Sequence, residues 1–132
     1  MMKVKAAILM LAAAVTFAAA PAMSHHSFAA VYDAEQEVTI EGKVVQFQYR
    51  NPHSVLHVLA KDDKGAEKRY AIEWQGATQL GAAGISAQTM RAGDLVVVTG
   101  HPGRVAAENR ILMVAIKRTT DDFAWKNGGN LN

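Results

Sequence analysis

The sequence predicts a mainly β domain, a small five-stranded OB-like (oligonucleotide/oligosaccharide-binding) barrel with one short helix between strands 3 and 4. Three observations carry this. Five runs, at 38–49, 54–61, 67–75, 95–100 and 110–117, are rich in β-forming residues with strand-like polarity patterns. The first run changes phase. Val38 and Ile40 share a face, and from Val45 the apolar residues are Val45, Phe47 and Tyr49. A phase change next to Gly42 predicts a bulge that bends the strand, and a strand bent this hard is on its way to closing a small barrel. Finally, the gap between the third and fourth runs holds a short helical stretch, 77–83, with Gly84 as its stop. A small open sandwich is the alternative.

Residues 1–24 are expected to be a cleaved signal peptide. Lys3 and Lys5 precede an apolar run at 6–20, and Pro21-Ala22-Met23-Ser24 follows with small residues. The run is about 15 residues, short of the roughly 20 that a membrane span needs, and no stop-transfer pattern follows. No stable membrane insertion is expected once the signal is removed. Cleavage fits after Ala22 or after Ser24. The second leaves 132 − 24 = 108 residues, one domain's worth. It also removes Lys3 and Lys5, leaving 14 − 2 = 12 basic against 12 acidic residues, a net charge of zero with neutral histidine. The basic pI of the whole chain therefore belongs largely to the signal, and no nucleic-acid partner is expected. The expected location is periplasmic or secreted. Residues 25–118 are the barrel domain, and 119–132, with Phe123 and Trp125, a flexible C-terminal tail. The absence of cysteine excludes disulfides, thiol chemistry and thiolate metal sites.

In chain order, His25-His26-Ser27-Phe28 opens the mature protein, and Phe28, Val31 and Tyr32 are apolar enough to dock this segment onto the domain. Residues 33–36 form a turn, and Asn51-Pro52 a corner after the first strand. The second strand is apolar on both faces, with Val55 and Leu59 pointing one way and Leu56 and Val58 the other, which predicts a central, covered strand. Asp62-Asp63-Lys64-Gly65-Ala66 signals a hairpin with a type I turn closed by a left-handed glycine. Tyr70, Ile72 and Trp74 then share the apolar face of the third strand. Ser86 caps a further turn, Arg91-Ala92-Gly93-Asp94 turns into the fourth strand, and His101-Pro102-Gly103 breaks it.

These landmarks resemble a family of small exported bacterial single-domain proteins of uncharacterised function. Its members begin the mature domain with His-His-Ser-Phe (His25 to Phe28). They continue with a Val-Thr-Ile/Leu-x-Gly-x-Val strand (Val38 to Val44), an Asn-Pro-His corner (Asn51 to His53), an Ile-Glu strand end (Ile72-Glu73) and a Gly-Asp turn before a valine-rich strand (Gly93 to Val98). The resemblance covers roughly Ser24 to Lys117. This chain departs from it at Gly84-Ile85, where relatives often carry Gly-Trp, and in its Asp-Asp-Phe-Ala-Trp tail. The resemblance implies no established activity.

The hairpin register suggests where chemistry sits. With Asp63-Lys64-Gly65 as the loop, Leu56 faces Ile72, Val58 faces Tyr70, His57 faces Ala71 and Val55 faces Glu73. His53 and His57 are then diagonal neighbours of Glu73, roughly 7–8 Å away across the ladder. The two histidines are about 13 Å apart along the strand, too far to chelate one ion directly. One of them with Glu73 is within reach, and His25 and His26 are the obvious source of further ligands. Docking of Phe28, Val31 and Tyr32 over Val55 and Leu59 would carry them towards His53. A free amine on His25 suits copper(II), and Met23-Ser24-His25 at the terminus is a tetragonal nitrogen site suited to copper(II) or nickel(II). Nitrogen and carboxylate donors also suit zinc. The candidate metal ligands are therefore His25, His26, His53, His57 and Glu73. The same residues also fit plainer roles: His57 a packed histidine, His53 a corner cap, His25 and His26 a solvated start, His101 a turn residue, Glu73 a surface ion pair.

The expected function is an exported, non-catalytic binding module that takes a divalent metal, copper or zinc, or a small ligand. An OB-type binder of a sugar or other extended ligand is the alternative, as is an envelope interaction protein without metal. No Gly-x-Ser-x-Gly elbow, phosphate loop or His-Glu-x-x-His motif supports an enzyme.

Overall fold

Alternating side chains on a bent first strand fold this chain into a closed barrel. The computed structural model describes residues 27–128. In order they form α1 (Phe28–Val31), β1 (Val38–Gln48), β2 (Val55–Lys61), β3 (Glu67–Glu73), α2 (Ala77–Ala82), β4 (Leu95–Pro102), a 3-10 turn (Ala106–Glu108), β5 (Arg110–Arg118) and β6 (Ala124–Lys126). The strands lie in the order β3-β2-β1-β4-β5-β6, and a parallel pairing of β3 with β5 closes a five-stranded barrel. The barrel and the helix between β3 and β4 agree with the sequence, and β6 is an addition.

β1 can serve two neighbours because it bends. Its residues 38–43 pair with β4 and its residues 42–48 with β2. The extra residue lies between Val44 and Gln46, so the bulge is at Val45 and not beside Gly42. Val44 keeps the inward phase of Ile40, and the bulge after it resets the phase, so that Phe47 and Tyr49 pack on the core. Gly42 has a separate task. A Cβ there would overlap the Leu59 carbonyl oxygen, so only glycine allows β1 to lie this close to β2.

The β2–β3 hairpin has the register that its turn dictates: Val55↔Glu73, Leu56↔Ile72, His57↔Ala71 and Val58↔Tyr70. Gly65 is left-handed at φ 79°, and the Asp62 carboxylate accepts from the Lys64 and Ala66 N–H groups at 2.9 Å each. Leu56, Val58, Ile72, Val96, Val98 and Ile111 are buried in the barrel, and α2 adds Leu80 to the same core. The cis Asn51-Pro52 corner is tied to the start of α2. The Asn51 amide donates to Thr78 Oγ1 and its carbonyl accepts from the Thr78 N–H, both at 3.1 Å.

Two expectations need correction. His101-Pro102 does not break β4, which runs through Pro102. Proline is accommodated there because it is the strand's last residue and has no N–H to leave unpaired. Residues 124–126, expected in a flexible tail, pair with β5 as β6. Trp125 is only 8% exposed and meets the Trp74 ring edge-on at 5.2 Å between centroids. Burial of that indole outweighs the fraying that the glycines and asparagines after it suggest. Residues 129–132 and the proposed signal, 1–24, lie outside the described residues.

The segment before β1 docks on the barrel as a strap. Tyr32 bridges Gly103, the Asp33 N–H donates to the Pro102 carbonyl at 2.9 Å, and the Arg104 N–H donates to the Val31 carbonyl at 2.8 Å. Arg104 Nε donates to the Ala29 carbonyl at 2.9 Å. Tyr32 is 2% exposed and Phe28 42%.

Candidate functional site

Paired residues on adjacent strands share a face. Val55 pairs with Glu73, Glu73 with Leu112, and Leu112 with His101. These four residues make one row across the outer wall, over β2, β3, β5 and β4. The row exists only because β3 and β5 close the barrel.

Glu73 is the hub. His53 stands two residues before β2, and its Nδ1 lies 2.7 Å from Glu73 Oε1. The Tyr32 hydroxyl donates to Glu73 Oε2 at 2.5 Å, and Arg110 Nη2 donates to the same oxygen at 3.4 Å. Arg110 also lies over the Tyr32 ring, 5.4 Å from its centroid. The Glu73 side chain is only 14% exposed, and a carboxylate that far from water needs such donors. A carboxylate only accepts, so His53 Nδ1 carries the hydrogen, and in the neutral ring Nε2 carries the lone pair. Burial, reinforced by the Glu73 charge, holds the Tyr32 phenol well above its ordinary value, so it stays a donor. The Phe28 ring tilts against the His53 imidazole at 5.2 Å between centroids.

Cavities flank this hub. One of about 310 Å³ is lined by Tyr32, Arg50, Val55 and Arg110. Another of about 480 Å³ is lined by Phe28, Trp74, His101, Met113 and Trp125. His53 and Glu73 form part of the wall of both.

Of the five candidate ligands, the structure joins His53 and Glu73 directly. His57 stands apart, opposite Ala71 and Gln46 in mid-β2. Its Nδ1 is buried without a hydrogen-bond partner. Burial, and then the nearby Arg69 and Arg50 charges, lower the pKa of its imidazole. His25 and His26 lie outside the described residues. Among the described residues no three His, Asp or Glu side chains are grouped to hold a metal ion. Tyr32 and Phe28 were legible only as cover, and Arg110 not at all, because it reaches Glu73 through the β3–β5 pairing, which no local pattern encodes. His101, expected in a turn, belongs to the outer row.

No curated protein and no solved structure matches this chain. Residues 12–111, more than half of the sequence, match a family whose description is "Family of unknown function". That stretch holds Tyr32, His53, Glu73, His101 and Arg110, and by it the chain belongs to the family of unknown function DUF6152.

Proposed function

We propose that this chain is an exported, non-catalytic binding module that holds a divalent metal ion, copper or zinc, at the His53 corner. His25 and His26 supply the further imidazoles. The observation that carries this reading is the contact of Phe28 with the His53 ring. His25 and His26 precede Phe28 by three and two residues, and a chain spans at most ~3.6 Å per residue, so their Cα atoms lie within about 11 Å of that of Phe28. Glu73 takes His53 Nδ1 and leaves Nε2 for an ion, the arrangement of a metal-binding histidine with its orienting carboxylate. Export rests on the basic start, the apolar run and the small residues that follow it. Cleavage after Ser24 would give His25 a free amine, a second donor for copper(II).

Titration of the exported, processed chain with copper(II) and zinc(II) tests the reading. One ion should bind per chain, and His53→Ala or His25→Ala should weaken it at least about tenfold, the lower end of what loss even of an orienting partner costs. Unchanged affinity in both variants would end the metal reading. If neither ion binds the parent chain, the sugar-binding and envelope-interaction readings remain. The sugar reading has less to stand on, since Tyr70 on β3 and Trp74 just after it, the aromatic residues it would use, pack on the core.

A further inference from the structure

Two guanidiniums meet at the cavity of about 310 Å³ beside the Glu73 hub. The strand pairings place Gln46, His57, Ala71 and Arg110 in a second row across the outer wall, two residues along each strand from the row of Glu73. Arg110 reaches the cavity from that row. Arg50 reaches it from just past the end of β1, where its Nε donates to the His53 carbonyl at 3.4 Å. The positive charge of the pair is poorly matched. Among the described residues no carboxylate lies within ion-pair distance of Arg50. Arg110 meets Glu73 Oε2 at 3.4 Å, but that oxygen already accepts from the Tyr32 hydroxyl, and Oε1 is taken by His53. Its other contact, 3.8 Å to Glu108, joins two well-exposed side chains, where water screens most of the attraction. Glu73 is the only acid among the described residues that line the cavity. The charges that reach His57, in the same row, are those of Arg69 and Arg50, both positive. Pro52, Val55 and Ala71 add apolar wall.

We infer that this cavity binds a small organic anion, with its carboxylate or phosphate group between the Arg50 and Arg110 guanidiniums and its apolar body against Pro52, Val55 and Ala71. A guanidinium presents a rigid fork of N–H donors that matches two oxygens of such a group, and it keeps its charge throughout the physiological pH range. In a recess the attraction is stronger than in open water, because less solvent lies between the charges. A volume of about 310 Å³ stands at the lower end of ligand pockets and has room for roughly ten water-sized groups, which suits a small molecule. Arginine has no lone pair to give a metal, so the anion site stands apart from the metal reading of the neighbouring His53 corner.

The processed chain, freed of metal on a chelating resin, is titrated with benzoate, acetate and benzamide at neutral pH and low ionic strength, followed by nuclear magnetic resonance of its amides and arginine side chains. Benzoate should saturate, with shifts centred on Arg50, Ala71 and Arg110. Acetate, which lacks the apolar body, and benzamide, which lacks the charge, should each bind at least about tenfold more weakly. Arg50→Gln and Arg110→Gln should each weaken benzoate at least about tenfold, as loss of a hydrogen bond to a charged group does. Arg91→Gln removes the same charge from the turn before β4 and should leave benzoate affinity unchanged. If Arg110→Gln loosens the Glu73 hub, seen as a fall in Tm, Arg50→Gln decides alone, since it breaks no ion pair. Absence of saturable benzoate binding would overturn the inference. So would benzamide or acetate binding as tightly as benzoate, or equal weakening by Arg91→Gln and Arg50→Gln, which would mark diffuse attraction. With no metal present, failure here leaves the copper and zinc titrations standing, and their failure leaves the anion site standing.

Discussion

At the scale of single residues, the site is a matter of where hydrogens are fixed. Glu73 accepts from Tyr32, Arg110 and His53, so each of its oxygens has a donor and each donor a defined direction. His57 shows the opposite arrangement on the same strand. Its ring is partly withdrawn from water, Nδ1 has no partner, and Arg69 and Arg50 add to the cost of charging it. Its pKa in the folded chain is therefore below the ordinary histidine value of about 6.5. Above that value both the folded and unfolded chains carry a neutral ring, and His57 makes no pH-dependent contribution. As pH falls below it, the unfolded chain takes up a proton that the folded chain resists, and stability declines until the folded pKa is passed. In metal-free protein, urea midpoints between pH 7.5 and 5 should fall less steeply for His57→Gln than for the parent. Parallel declines in the two proteins would show that the His57 imidazole is not the cause.

At the scale of elements, what the sequence made legible was what adjacent residues decide. The register of β2 on β3 follows from Asp62-Asp63-Lys64-Gly65, because a turn with one left-handed glycine allows one pairing. That register brought Glu73 within reach of His53. The position of the bulge was not legible, since Gly42 and Val45 are both plausible sources of a phase change and the neighbours decide between them. Gly42 answers to the crowding of β1 against β2, and Val45 to the pairing. The atom met by a Cβ at position 42 is a backbone carbonyl oxygen, which cannot rotate away. Gly42→Ala should therefore lower the unfolding free energy by about 3 kcal/mol, at the upper end of overpacking costs, measured by urea denaturation. A loss under ~1 kcal/mol would mean that the two strands separate easily. β6 escaped notice because three residues show too little alternation to register. What holds it is Trp125 on Trp74, a contact between residues 51 positions apart.

At the scale of the whole molecule, barrel closure and the strap together build the site. The β3–β5 pairing aligns Glu73 with Leu112 and, through β5, with His101, while the strap brings Tyr32 and Phe28 over them. The docking of the strap was legible in Phe28, Val31 and Tyr32, but the alignment of Glu73 with Leu112 was not, because parallel closure is a long-range event with no turn to announce it. An ion that binds only the folded chain stabilises it by mass action, by ~2.7 kcal/mol at one hundred times its Kd. For a domain of about 100 residues that is a rise in Tm of about 10–20 °C. Scanning calorimetry of the processed chain with copper(II) or zinc(II) should show this rise, and a chelator should reverse it. A Tm that ignores both ions would argue against any tight site on the native form.

The parallel closure also has a consequence in time. Tyr32 meets Glu73 across 41 positions of sequence, and Glu73 meets Leu112 only once the last barrel strand has arrived. Contacts of such separation are the slow ones to form. The hydrogen-bonded hub around Glu73 is thus a late event of folding, complete only when the strap and the last barrel strand are both in place.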